Sequence, residues 1–183
     1  MVTLRGADWD VAVGSDDAAL GTRWVFLAYR LPREPSAPRL ALWRAVQRLG
    51  ALQVSDGLVA LPHSSRNLEH VQWLASAIVD NRGSASVWLA QPLSARMNAE
   101  YEAAQRADID AEYQAVLAEA RKARSVGPSE RDRNLRTEQR RAVRRLRGQL
   151  RRIGARDYFA APSGEAARAA VERLARADEQ VPA

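Results

Sequence analysis

The segment from residue 128 to residue 156 constrains this chain most, because it concentrates arginine in a pattern that suits a helix. It holds eleven Arg and three acidic residues, a local net charge of +8, whereas the whole chain carries +6. On a helical wheel, arginines cover about half of the circumference and leave one apolar stripe about a quarter-turn wide. That stripe consists of Leu135, Ala142, Val143, Leu146, Leu150 and Ile153. We therefore predict a long helix, to about Ile153, that packs on one face and presents guanidinium groups on the other.

The arginine face predicts binding to a polyanion, with DNA as the first candidate. Guanidinium groups match phosphate oxygens in geometry, and clustered charge of one sign suggests a nucleic-acid partner. Like charges four residues apart oppose helix formation, so such a helix requires either an acidic neighbour or a polyanionic partner. The candidate DNA-binding residues are Arg136, Arg140, Arg141, Arg144, Arg145, Arg147 and Arg151.

Two alternatives to DNA stay open for this face. The preceding predicted helix is acidic and could neutralise part of it, through Glu100, Glu102, Asp108, Asp110, Glu112 and Glu119. That helix also carries five basic residues, so internal pairing cannot cancel the surplus. In the second alternative, the helix meets an acidic surface on a partner protein.

Residues 24–91 contain short apolar segments whose order predicts an α+β fold. An apolar strand from Trp24 ends at Pro32, and a helix starting near Ser36 ends at Gly50. The Asp56-Gly57 pair predicts a hairpin. A second helix, capped by Ser64 or Ser65, and a strand over 84–90 complete a β-α-β-β-α-β order, which is typical of a ferredoxin-like unit. We expect Trp24, Trp43, Trp73 and Trp88 to pack in its core.

Three regions are expected. Residues 1–22 form a flexible N-terminal arm, residues 23–92 form the ferredoxin-like α/β domain, and residues 93–180 form a helical region with the long arginine-rich helix. The first helix of that region is expected to bend near Asp108, and Ser129 to cap the next helix.

Several function classes find no support in the sequence. Cysteine is absent, which excludes disulfides, thiolate zinc sites and a cysteine nucleophile. His63 and His70 do not match a metal motif, and phosphate-loop and nucleophile-elbow sequences are missing. We predict no catalytic residues, no metal, no cofactor and no enzymatic activity. Neither a secretory signal nor an apolar stretch of membrane-spanning length is present, so a cytoplasmic protein is expected.

Several segments resemble the N-terminal region of ChrB proteins, which are regulators associated with bacterial chromate resistance. They are YRLPREP at 29–35, the helix end around LWR and RLGA at 42–51, VQWLA at 71–75, and RDYF at 156–159. The resemblance implies a transcriptional regulator of a chromate-efflux operon. A more distant similarity to the middle domain of the phenylacetate repressor PaaX and to small CRISPR adaptation nucleases implies a homodimer. Those nucleases place an acidic metal ligand after the first strand, where this chain has Tyr29 to Pro32, so nuclease activity is not expected.

Many ChrB proteins carry a further C-terminal domain, and we expect this chain of 183 residues to act without it. If that domain senses chromate, we expect this protein to bind DNA without sensing, or to act with a separate partner. The alternative function is an accessory resistance protein that senses chromate or another oxyanion. Its anion site would lie among Arg30, Arg33 and Arg39, or among the helical arginines, since two or three convergent Arg groups suffice.

Overall fold

The computed structural model describes residues 21–125 and 133–179, which form four strands and five helices in an α+β arrangement. The strands are β1 (Trp24–Arg30), β2 (Leu52–Ser55), β3 (Leu58–Pro62) and β4 (Ser84–Ala90). The helices are α1 (Ser36–Leu49), α2 (Ser65–Asp80), α3 (Ala95–Ser125), α4 (Arg133–Gly154) and α5 (Gly164–Glu179). Most of the predicted arm and the predicted cap at Ser129 lie outside the described residues.

The sheet is antiparallel, with the strand order β2-β3-β1-β4. Strand β1 is therefore central, and its pairing with β4 sets Phe26 opposite Trp88 and Arg30 opposite Ser84. The β2-β3 hairpin turns at Gly57, whose φ of 75° lies in the left-handed region. A Cβ there would meet the carbonyl oxygen of Tyr29 at 2.5 Å, so this turn requires glycine.

Local signals account for the ends of the two helices that pack on the sheet. Ser64 caps α2, since its hydroxyl accepts a hydrogen bond from the backbone N–H of Asn67 at 3.1 Å. Gly50 ends α1 in a left-handed conformation, and its N–H reaches back to the carbonyls of Val46 and Gln47. Of the two predicted capping serines, Ser64 is therefore the one that caps.

One hydrophobic cluster lies between the sheet and the two helices α1 and α2. Val25 and Leu27 of β1 contribute to it, together with Val46 of α1 and Val71 and Ile78 of α2, and all five side chains are buried. Burial of such aliphatic side chains stabilises each by about 1.5–3 kcal/mol relative to exposure.

The prediction that all four tryptophans pack in the core is wrong for three of them. Trp24 is fully buried, but Trp43, Trp73 and Trp88 are 57%, 70% and 62% exposed. In α1 the inward face is set by Leu42 and Val46, four residues apart, and Trp43 lies about 100° away from Leu42. Trp73 lies about 200° from the buried Val71 on α2, and Trp88 lies on an edge strand.

Helices α3, α4 and α5 pack against one another around a second hydrophobic cluster. Tyr113 and Val116 of α3, Leu146 of α4 and Leu174 of α5 are buried in it. Helix α3 runs without interruption from Ala95 to Ser125, through the position of the predicted bend at Asp108.

The connector between α4 and α5 joins this cluster to the sheet. The hydroxyl of Tyr158 donates to the carbonyl of Leu49 at 3.1 Å, and the ring of Phe159 lies 5.7 Å from that of Trp24. The indole N–H of Trp24 also donates to Asn98 of α3 at 2.8 Å. These contacts hold α3 and the connector against the start of β1 and the end of α1.

Candidate functional site

Helix α4 is oriented by its apolar side, which faces α3 and α5. Val143, Leu146 and Ile153 are buried in the helical cluster, and Leu150 packs against it. The buried Gln139 strengthens this orientation, because its side-chain amide donates to the carbonyl of Leu174 at 3.1 Å. The opposite side of α4, where most of its arginines lie, therefore faces outwards.

Six of the seven predicted DNA-binding arginines are described with their side chains, and all six are exposed. They are Arg140, Arg141, Arg144, Arg145, Arg147 and Arg151. Arg136 lies in α4, but its side chain falls outside the described residues.

Two of these arginines form ion pairs with neighbouring helices. Arg145 contacts Glu119 of α3 at 2.8 Å. Arg147 forms two hydrogen bonds with Glu172 of α5, at 3.0 and 2.7 Å. These hydrogen bonds and the guanidinium charge hold the pKa of Glu172 below its ordinary value.

Arg141, Arg144 and Arg151 form a second group on the outward side of α4. Arg140 lies beside them and makes an interaction of its own. Within the described ranges, none of these three has a carboxylate at ion-pair distance. Arg144 and Arg151 lie two turns apart on one side of the helix, separated by about 10 Å along the axis. We call Arg141, Arg144 and Arg151 the open arginine row.

The acidic residues of α3 neutralise little of this surface. Among those with described partners, only Glu119 reaches α4, while Glu112 holds Arg156 beyond its end, at 2.6 and 2.5 Å. Asp110 instead accepts the backbone N–H of Ser163 at 2.7 Å, and hydrogen bonds from Ser163 lower its pKa. Sequence reasoning missed Glu172, whose partner Arg147 lies 25 residues earlier on a different helix.

The three predicted oxyanion-binding residues lie together in the α/β part of the chain. Arg30, Arg33 and Arg39 line one cleft with a volume of about 1160 Å³, between the end of β1, the loop after it and the start of α1. Arg82, before β4, lines the same cleft and was missed by the sequence prediction. Antiparallel pairing of β1 with β4 brings it there, since Arg30 lies opposite Ser84.

The electrostatics of this basic cleft favour an anion. Four arginines face one acidic residue, Asp56, along its walls. Helix α1 begins at the cleft without a side-chain cap or an acidic residue in its first turn, so its N–H groups add positive potential. Burial raises the pKa of Tyr29 on the cleft wall above its ordinary value. The positive charge of Arg39 lowers this pKa, and the negative charge of Asp56 raises it further.

Metal and membrane sites receive no structural support in the part of the chain that is described. It contains no cluster of three His, Asp or Glu residues suited to a metal ion. His63 is exposed and His70 is half-buried. None of the helices in the described ranges is both long enough and apolar enough to cross a membrane.

Comparisons with known proteins point to one family. The family model described as Protein ChrB, N-terminal, matches residues 39–182. A curated relative, Protein ChrB of Cupriavidus metallidurans, is 30% identical over 105 residues, which are 57% of this chain and 32% of the relative. The chain therefore spans about a third of the length of that relative. No solved structure matches significantly.

Proposed function

Because the chain belongs to the ChrB N-terminal family, we propose that it is a DNA-binding transcriptional regulator associated with chromate resistance. The observation that carries the DNA-binding part is the open arginine row, Arg141, Arg144 and Arg151, which faces outwards from a helix anchored on its other side. We further propose that the protein is cytoplasmic, non-enzymatic and homodimeric, and that residues 24–90 form a ferredoxin-like module.

The row suits the backbone of a duplex because its cations are held at fixed spacing. A duplex carries one phosphate per 3.4 Å of each strand, and cations presented along a rigid helix contact several phosphates without further ordering. Such contacts supply affinity and position, whereas sequence is read by contacts to base edges. The row therefore accounts for affinity for DNA and leaves operator choice to other residues.

A salt titration of DNA binding tests this function. Affinity is measured for a duplex from upstream of the protein's own gene and for an unrelated duplex of equal length, between 50 and 200 mM salt. We expect tighter binding to the upstream duplex, weakening linearly in log salt. Arg144→Ala with Arg151→Ala should reduce the salt slope by about 1.8, since each phosphate contact contributes about 0.9.

The matched control removes two exposed arginines from a different helix. Arg44 and Arg48 lie on α1 and do not line the basic cleft, so Arg44→Ala with Arg48→Ala lowers the net charge equally. Its slope should stay at the wild-type value. Equal slopes for both double variants would reject α4 as the DNA contact, and lack of binding to either duplex at low salt would reject the function.

A second candidate function is an oxyanion-sensing accessory resistance protein that does not bind DNA itself. The specific observation in its favour is that Arg30, Arg33, Arg39 and Arg82 line one cleft. A divalent tetrahedral anion requires only two or three convergent guanidinium groups. The family match begins at residue 39, so two of these four arginines precede it.

Thermal unfolding in the presence of chromate tests this second function. Chromate at constant ionic strength should raise Tm, sulfate should compete with it, and Arg39→Gln with Arg82→Gln should abolish the shift. A chromate shift that survives in this variant would exclude the cleft as the anion site.

A further inference from the structure

Strand β4 is an edge strand with an unusually unprotected outer side. It pairs with β1 along its seven residues, and in the described part of the chain no other strand pairs with it. Its sequence, SASVWLA, contains neither a charged residue nor a proline. Soluble proteins normally protect such an edge with lysine, proline, a bulge or shortness, because its free N–H and C=O groups recruit further strands.

The opposite edge of the same sheet shows that protection. Strand β2 has four residues, and its register with β3 shifts between Gln53 and Ser55. A short, bulged strand makes a poor template for pairing. The two edges therefore differ in their capacity to accept another strand.

The exposed side chains of β4 are apolar on both faces of the sheet. Val87 and Leu89 are 36% and 51% exposed on the side that carries α1 and α2, and Trp88 is 62% exposed on the other. Leu93, just beyond the strand, is also exposed. A strand that adds to this edge would shield all of these side chains from water, which favours association.

We propose that β4 pairs antiparallel with β4 of a second copy of this chain, so that two sheets join into one of eight strands. Pairing centred on Val87 places Val87 opposite itself, Ala85 opposite Leu89 and Ser86 opposite Trp88. The self-paired strand carries no charge, so a chain of net charge +6 meets its copy where repulsion is small. This interface rests on the homodimer proposed above and specifies the surface through which its two copies meet.

A two-fold axis at Val87 makes a direct prediction for disulfide trapping. Residues directly opposite in an antiparallel pair have Cα atoms about 4.5–5.5 Å apart, within the range that a disulfide spans. The chain has no cysteine, so a single introduced thiol can bond only to its copy. Val87→Cys should form a covalent dimer under mild oxidation, whereas Gln53→Cys, on the opposite edge, should form no covalent dimer.

The mass of the unmodified full chain, measured without DNA by sedimentation, gives the second test. We expect twice the 20.2 kDa of one chain. Trp88→Lys should raise the dimer dissociation constant about tenfold or more, because the change acts twice across the axis and adds two like charges. Trp73→Lys, an identical change at an exposed site on α2, should leave the constant unaltered.

Three outcomes would overturn this interface: a monomeric full chain, equal trapping of the two cysteine variants, or equal weakening by the two lysine variants. Because no DNA is present, failure of the dimer leaves the DNA-binding proposal standing. Failure of the salt titration likewise leaves this interface standing.

Discussion

Removal of the carboxylate that holds Arg145 should strengthen DNA binding, if α4 contacts the duplex. Arg145 contacts Glu119 at 2.8 Å, and the two side chains are 60% and 46% exposed. In the wild-type protein, a phosphate must compete with Glu119 for this guanidinium. Glu119→Gln removes that competitor while it keeps a side chain of similar size and shape.

The expected size of this effect comes from the exposure of the pair. An exposed ion pair stabilises by about 0.2–1 kcal/mol, so its loss should tighten DNA binding by about 1.5- to 5-fold. One further phosphate contact should steepen the salt slope by about 0.9. The free energy of unfolding should fall by at most about 1 kcal/mol. Fluorescence anisotropy of a labelled duplex across a salt series measures the first two quantities.

Two further variants separate release of Arg145 from a general change in charge. Asp108→Asn removes one exposed acidic charge eleven residues earlier on α3, about 16 Å away along the helix axis. At that distance its effect on Arg145 is largely screened at physiological salt. In the Arg145→Ala background, Glu119→Gln should have no effect. Tighter binding that persists without Arg145, or that Asp108→Asn reproduces, would refute the reasoning.

Four further substitutions test the packing and local geometry of the fold. Burial raises the pKa of Tyr158 above its ordinary value of 10.0, so its contribution to stability is present below about pH 10 and is lost as the pH rises through the folded pKa. Tyr158→Phe should cost about 1 kcal/mol at pH 7 and flatten the alkaline loss seen in urea titrations. Gly57→Ala should lower the free energy of unfolding by about 1–3 kcal/mol, because the added Cβ would lie 2.5 Å from the Tyr29 carbonyl oxygen. Gly148→Ala should instead stabilise α4 by about 0.5–1 kcal/mol, because the added Cβ would have no neighbour nearer than 3.6 Å. Arg156→Ala should cost about 1–2 kcal/mol in the same titrations, since its side chain is only 17% exposed and makes two charged hydrogen bonds.

Local sequence signals predicted the strands and helices of residues 24–90 closely. Proline and glycine positions bound each element, and the predicted strand over 84–90 has the same bounds in the structure. Side-chain burial was harder to predict, because Trp43 and Trp73 belong to apolar patterns broader than one helix face. Only the packing of α1 and α2 on the sheet decides which apolar residues turn inwards. For Trp88, an edge position exposes a side chain that a central strand would bury.

Three of the four arginines that line the basic cleft were predicted from the sequence, and strand pairing accounts for the fourth. Arg30, Arg33 and Arg39 are close in sequence, so they were found as one group. Arg82 lies far along the chain and joins them because β4 runs antiparallel beside β1. The β-α-β-β-α-β order already places the start of the last strand beside the end of the first. The sheet topology therefore brings into the cleft a residue that its distance in sequence had excluded from the predicted group.

The arginine helix shows why a helical wheel overcounts a binding surface. The wheel counts every outward-facing arginine equally as a binding residue. Arg145 and Arg147, however, form ion pairs with Glu119 and Glu172, which come from two different helices. Neither pairing follows from periodicity, because each depends on how α3 and α5 pack against α4. Glu172 keeps its charge to lower pH than an ordinary glutamate, so its competition for Arg147 weakens only in acid. The arginines that are available to a polyanion without displacing an internal carboxylate are therefore a subset of those that the sequence selects. If α4 contacts DNA as proposed, mutation of the open arginine row should weaken binding most directly.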